Sequence, residues 1–81
     1  MYTKVQFGKD LKQRVLEKEK VEFIGKWAHS AYWEHILNIE EDLIDIALDL
    51  STMELGPEFA YSYEELDQIA DDLIAGKEVK L

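Results

Sequence analysis

The sequence predicts an all-α fold, a compact bundle of about four helices in which residues 1–81 form a single helical domain. Apolar residues recur at steps of three and four along most of the chain. Two Asn/Ser-x-x-Glu patterns mark helix starts, and Gly56-Pro57 and Gly76 mark stops. With 81 residues, one core gives only modest stability, so most large apolar side chains have to be buried.

The first segment, Thr3 to Lys18, spaces Phe7, Leu11 and Val15 four apart, with Val5 and Leu16 at the edge of that face. Its surface carries Lys9, Lys12, Arg14 and Lys18, placed towards the C-terminal end where the helix dipole favours cations. Val5 and Phe7 between polar neighbours also fit a short strand, although no partner strand is evident. Residues 17–20, EKEK, read as a solvated turn without Gly or Pro to sharpen it.

From Val21 to His35 the set Val21, Ile24, Trp27, Ala28, Ala31 and Tyr32 predicts a second helix. Gly25, Ala28 and Ala31 put small residues near its apolar face, where another backbone can come close. Trp33 projects to the opposite side, near Glu22 and Lys26.

The stretch from Ile36 to Leu55 is expected to be the element around which the others pack. Ile36, Ile39, Leu43, Ile46, Ala47, Leu50 and Met53 form one stripe, and Leu37, Ile44, Leu48 and Leu55 form a second beside it. Burial on two sides follows, leaving a strip of Glu41, Asp42, Asp45 and Asp49 for water. A helix continuous from Val21 to Leu55 exceeds globular lengths, so a break is placed at residues 35–38. Asn38 with Glu41 then serves as a capping-box start for a third helix from about Ile39 to Glu54, and Gly56 as a left-handed stop before Pro57.

Glu58 to Tyr61 is predicted to be an extended connection with Phe59 folded back on the core. Ser62 with Glu65 forms a second capping box, and Tyr61 with Leu66 occupies the positions of a hydrophobic staple. The fourth helix buries Leu66, Ile69, Ala70, Leu73 and Ile74, turns Glu64, Glu65, Asp67, Gln68, Asp71 and Asp72 outward, and stops at Gly76. The tail KEVKL either frays or lies over the core.

Net charge is −9 and unevenly placed. Residues 1–33 carry seven Lys or Arg against four acids, whereas Glu34 to Ala75 holds thirteen acids and no Lys or Arg. A field of that sign repels nucleic-acid phosphate and anionic lipid and speeds approach of a basic protein partner. A merely solubilising surface explains the charge equally well. No apolar run reaches the roughly 20 residues that span a bilayer. The opening MYTKVQFGKD lacks the apolar centre of a signal peptide, so a cytoplasmic location and no membrane partner are expected.

The chain has no Cys, which removes disulfides, thiolate metal sites and thiol nucleophiles. His29 and His35 are six apart, not the four of a shared metal face. Glu34 and Glu41 are the carboxylates that a helix junction would bring to His35. Asp42, Asp45 and Asp49 share a face, as do Asp67 and Asp71, or Glu64, Gln68 and Asp72, but no EF-hand loop accompanies them. No phosphate-binding Gly loop or nucleophile elbow is present, so no metal, cofactor or catalytic residue is expected. Tyr2, Trp27, Tyr32, Trp33, Tyr61 and Tyr63 are many aromatics for so small a domain, and Trp and Tyr are frequent interface anchors.

Residues 53–73, MELGPEFAYSYEELDQIADDL, look like the helix stop, extended connector and capped helix found in small bacterial domains of unknown function. In size, acidity and helicity the chain is also similar to small bacterial immunity proteins that neutralise basic nuclease toxins. The characteristic Asp and paired-Tyr segment of the helical colicin immunity proteins is absent, so no specific motif is shared. This resemblance implies a protein-binding module of immunity or antitoxin type and a basic protein partner. Glu41, Asp45, Asp49, Glu64, Asp67 and Asp71 would steer that partner, with Trp33 or Tyr63 as anchor. A structural or homo-oligomeric helical domain without catalysis is the alternative, a homodimer covering apolar surface left open. A metal-dependent enzyme using acidic residues and His35 is the third class.

Overall fold

The computed structural model describes residues 1–79. Its element order is α1 (Lys4–Leu16), α2 (Val21–His35), α3 (Glu41–Ser51), two short 3₁₀ turns (Thr52–Leu55 and Pro57–Phe59) and α4 (Tyr63–Ile74). Four α-helices make up the bundle, and no strand occurs among the described residues. The first segment is therefore helix rather than strand. Its opening is fixed by a capping box, in which the Thr3 hydroxyl accepts from the Gln6 N–H and the Gln6 side chain accepts from the Thr3 N–H.

Both α1 and α4 end in Schellman motifs. Glu19 N–H donates to Arg14 C=O and Lys18 N–H to Val15 C=O, while Lys77 N–H donates to Asp72 C=O and Gly76 N–H to Leu73 C=O. Gly76 adopts the left-handed conformation such a cap needs, with φ of 74°. At the other cap that conformation, φ 56°, falls on Lys18.

The helices pair as α1 on α4 and α2 on α3, with the Thr52–Leu55 turn also packed on α2. Phe7, Leu11, Ile24, Leu43, Leu50, Met53, Leu66 and Leu73 are the large, fully buried side chains. Trp27 ties α2 to α1, its ring stacked on Phe7 at 4.7 Å and capped from outside by the Arg14 guanidinium at 4.7 Å. Two glycines set the closest approaches. A Cβ on Gly8 would lie 2.8 Å from Leu73 Cβ, and one on Gly25 would lie 2.8 Å from the Glu54 nitrogen. The small face of α2 thus admits the backbone of the Thr52–Leu55 turn.

Tyr2 joins the chain start to the α2–α3 connection in an isolated parallel bridge with Ile39. Tyr2 N–H donates to Asn38 C=O at 2.8 Å and Glu40 N–H to Tyr2 C=O at 2.9 Å.

Several expectations for the central stretch are corrected. The chain does break at residues 36–40, but α3 begins at Glu41 with Glu40 at its N-cap and no side-chain cap bond. Asn38 instead presents its carbonyl to Tyr2. Leu43, Ile46, Ala47, Leu50 and Met53 are buried as one stripe without Ile36, which is exposed; of the second stripe Ile44 is half-buried, whereas Leu37 (98% exposed), Leu48 and Leu55 (70%) face water. Gly56 is extended, with φ of 164°, and is not a left-handed cap. The expected extended connector contains the Pro57–Phe59 turn, and Phe59 is exposed rather than folded back. In the tail, Val79 packs against the core; Lys80 and Leu81 lie outside the described residues.

Candidate functional site

The acidic half of the sequence does not form an unbroken acidic surface, because α1 packs on α4. Lys12 Nζ lies 2.6 Å from Asp67 Oδ1 and 3.0 Å from Asp71 Oδ1. Hydrogen bonds to Asp67 and then Asp71 hold the Lys12 ammonium above its usual range. Lys4 pairs with Asp42 at 3.3 Å. Asp49 accepts from the Tyr61 hydroxyl at 2.5 Å, a bond that, together with burial, pushes that phenol up to about 12. Of the steering acids, Glu41, Asp45 and Glu64 have neither salt bridge nor side-chain hydrogen bond among the described residues.

The two aromatic anchors are placed differently. Trp33 is 59% exposed, near the C-terminal end of α2, with its ring edge-on to Tyr32 at 5.4 Å. Tyr63 locks the fold: its hydroxyl donates to the carbonyls of Lys18 and Glu19 at 3.2 and 2.8 Å, and the Lys18 ammonium stands 5.5 Å over its ring. Those contacts lie beside the start of α2, about 18 Å along the helix from Trp33 at 1.5 Å per residue. Trp33, exposed Leu37, Glu41 and Asp45 belong instead to one end of the α2–α3 hairpin, within a turn or so of its connection. Asp49 stands at the opposite end of α3, and Asp67 and Asp71 on the α1–α4 seam.

The histidines have separate partners. His35 stacks on Tyr2 at 4.0 Å, in a nearly parallel arrangement. His29 Nε2 accepts from the Trp33 indole N–H at 2.8 Å, and its Nδ1 lies 3.7 Å from Glu54 Oε1. Among the described residues no group of three or more metal-ligating side chains forms a cation site.

One feature escaped the sequence. Between the start of α2 and the two 3₁₀ turns lies an open groove of about 510 Å³, lined by Val21, Met53, Pro57, Ala60 and Tyr63 with charge from Lys20, Glu22 and Glu54. An extended connector at residues 58–61 would not wall such a groove. The signal for it was Pro57, which suits the first position of a short helical turn.

The fold defines a small all-α domain that displays Trp33 and Leu37 at the end of the α2–α3 hairpin where Glu41 and Asp45 have no salt bridge among the described residues. No protein-family model, curated protein or solved structure matches the chain. No helix among the described residues is long and apolar enough to cross a membrane.

Proposed function

We propose that this chain is a protein-binding module, of immunity or antitoxin type, that covers a basic protein partner with the Trp33 end of its α2–α3 hairpin. The observation that supports it is the exposure of Trp33 and Leu37 on one hairpin end, where Glu41 and Asp45 have no salt bridge among the described residues. Burying a Leu or an aromatic of this size is worth roughly 1.5–3 kcal/mol each, enough for a two-residue anchor. The carboxylates add rate and orientation more than affinity. Asp67 and Asp71 contribute less field than two free carboxylates, since Lys12 offsets one of their two charges. Binding, rather than catalysis, is the proposed activity.

The test uses immobilised protein, with Trp33→Ala/Leu37→Ala and Glu41→Lys/Asp45→Lys variants beside it, and mass spectrometry of what each retains. The expected partner is basic, is lost from the alanine variant, and binds the lysine variant at a slower rate that no longer falls steeply with salt. A partner held equally by all three proteins, or one whose on-rate ignores salt, refutes the proposal. A second reading, a homodimer, is favoured by the exposure of Leu48 in addition to Trp33 and Leu37.

A further inference from the structure

We infer that His29 is a proton-operated latch on Trp33, so that acid releases a basic partner from this surface; the inference rests on the reading of Trp33 as the anchor. An imidazole whose Nε2 accepts a hydrogen bond is neutral and carries its proton on Nδ1. His29 is in that state when it accepts from the Trp33 indole at 2.8 Å. Its Nδ1–H then points towards Glu54 Oε1, 3.7 Å away and beyond direct hydrogen-bond length.

A proton taken from solvent onto Nε2 turns the acceptor into a donor. Two donors then face each other, the indole N–H turns to water, and the imidazolium is drawn to Glu54. Glu54 is the only charged residue of the Thr52–Leu55 turn that packs on α2. On α2 itself, Lys26 stands one turn before His29, with Glu22 a turn further back. On α3, Asp49 is held by Tyr61 and Asp42 by Lys4, while Glu41 and Asp45 sit at the other end of the hairpin from Glu54.

Protonation has two consequences with the same sign. Trp33 loses the bond that fixes its rotamer, so binding must order it again. The surface also gains a positive charge that repels a basic partner.

The experiment follows the indole N–H resonances of the ¹⁵N-labelled full chain from roughly pH 8 to pH 5, the range in which imidazole titrates. Trp33 is assigned by its loss in Trp33→Phe. Its indole proton is expected to move upfield in one step on acidification, while the signal of Trp27, half-buried and stacked on Phe7, stays in place and reports that the fold is intact. In His29→Gln the Trp33 step should vanish, and in His35→Gln it should persist. A flat Trp33 resonance in the native sequence, or a step that survives His29→Gln, overturns the latch. These measurements need no partner, so they fail or succeed independently of the binding proposal.

Discussion

Gly8→Ala tests the α1–α4 seam through the sign of its effect. In an exposed helix this change adds about 1 kcal/mol of stability, because Ala is the better helix former. At Gly8 the new methyl would stand 2.8 Å from Leu73 Cβ, 3.0 Å from the Ala70 carbonyl oxygen and 3.1 Å from Ile74 Cγ1. Relaxed carbon contacts need about 3.5–4.0 Å. The two nearest atoms are backbone or fixed to it, so α1 and α4 must move apart, loosening Leu11, Leu66 and Leu73, which are fully buried. Overpacking costs roughly 1–3 kcal/mol, and contacts this short with backbone and a Cβ belong to the upper part of that range, about 2–3 kcal/mol, from which the propensity gain of about 1 kcal/mol is subtracted. The expected net loss is about 1–2 kcal/mol, a fall in Tm of about 4–15 °C for a domain of this size. Urea melts followed by far-UV circular dichroism should show a lower midpoint at unchanged slope. Ser30→Ala, on the exposed side of α2, should leave the midpoint level or slightly raised. If Gly8→Ala is neutral or stabilising, α1 is not seated on α4 at this distance.

Other substitutions separate buried from displayed residues. Leu43→Ala should cost about 2–5 kcal/mol and Leu37→Ala less than about 0.5 kcal/mol by the same urea assay. Lys18→Gly relieves a left-handed non-glycine residue and should raise stability by up to about 1 kcal/mol, despite loss of the contact with the Tyr63 ring. In base, Tyr61 contributes stability in full below its unfolded value near pH 10 and loses it as pH rises towards about 12, since the folded state keeps that proton longer. Tyr2 and Lys12 are shifted upward as well and add to the same loss. Urea midpoints measured through this range should fall less steeply in Tyr61→Phe than in the native sequence. Sedimentation equilibrium should show any dimer strengthening from low to moderate salt, as repulsion within a chain of net charge −9 is screened; a strict monomer at both removes the dimer.

What the sequence disclosed is mostly local. The bounds of α2, the break after His35 and the Ser62–Glu65 cap each depend on a few adjacent residues, and the structure places all three where the pattern does. Two members of the second stripe, Leu37 and Leu55, are exposed for a geometric reason. Leu37 lies in the connection, and after Ser51 the backbone tightens to about three residues per turn, so each further residue turns about 20° more than an α-helix would, rotating Leu55 into solvent. The end of α1 was indistinct because a lysine occupies the position that glycine usually announces. Charge misled in another way: counting along the chain separates bases from acids, but which helix lies beside which is a tertiary fact. Once α1 lies on α4, Lys12 pairs with Asp67 and Asp71, two of the six acids expected to steer, and offsets one of their two charges. Trp33 was legible as exposed because helical projection needs no knowledge of neighbours, whereas Tyr63 sits at the rim of its helix and its hydroxyl reaches back to residues 18 and 19.

The pairing of α1 with α4 also governs time. Lys12 and Asp67 are 55 residues apart in sequence, while α2 and α3 are joined by a connection of five. Closing a long loop sacrifices more chain entropy before any contact repays it, so the hairpin is expected to assemble first and the chain ends to dock onto each other last. Contacts made after the rate-limiting step do not speed folding; they hold the finished protein shut. The seam at Gly8, Leu11 and Leu73 is therefore expected to govern how fast the native state opens.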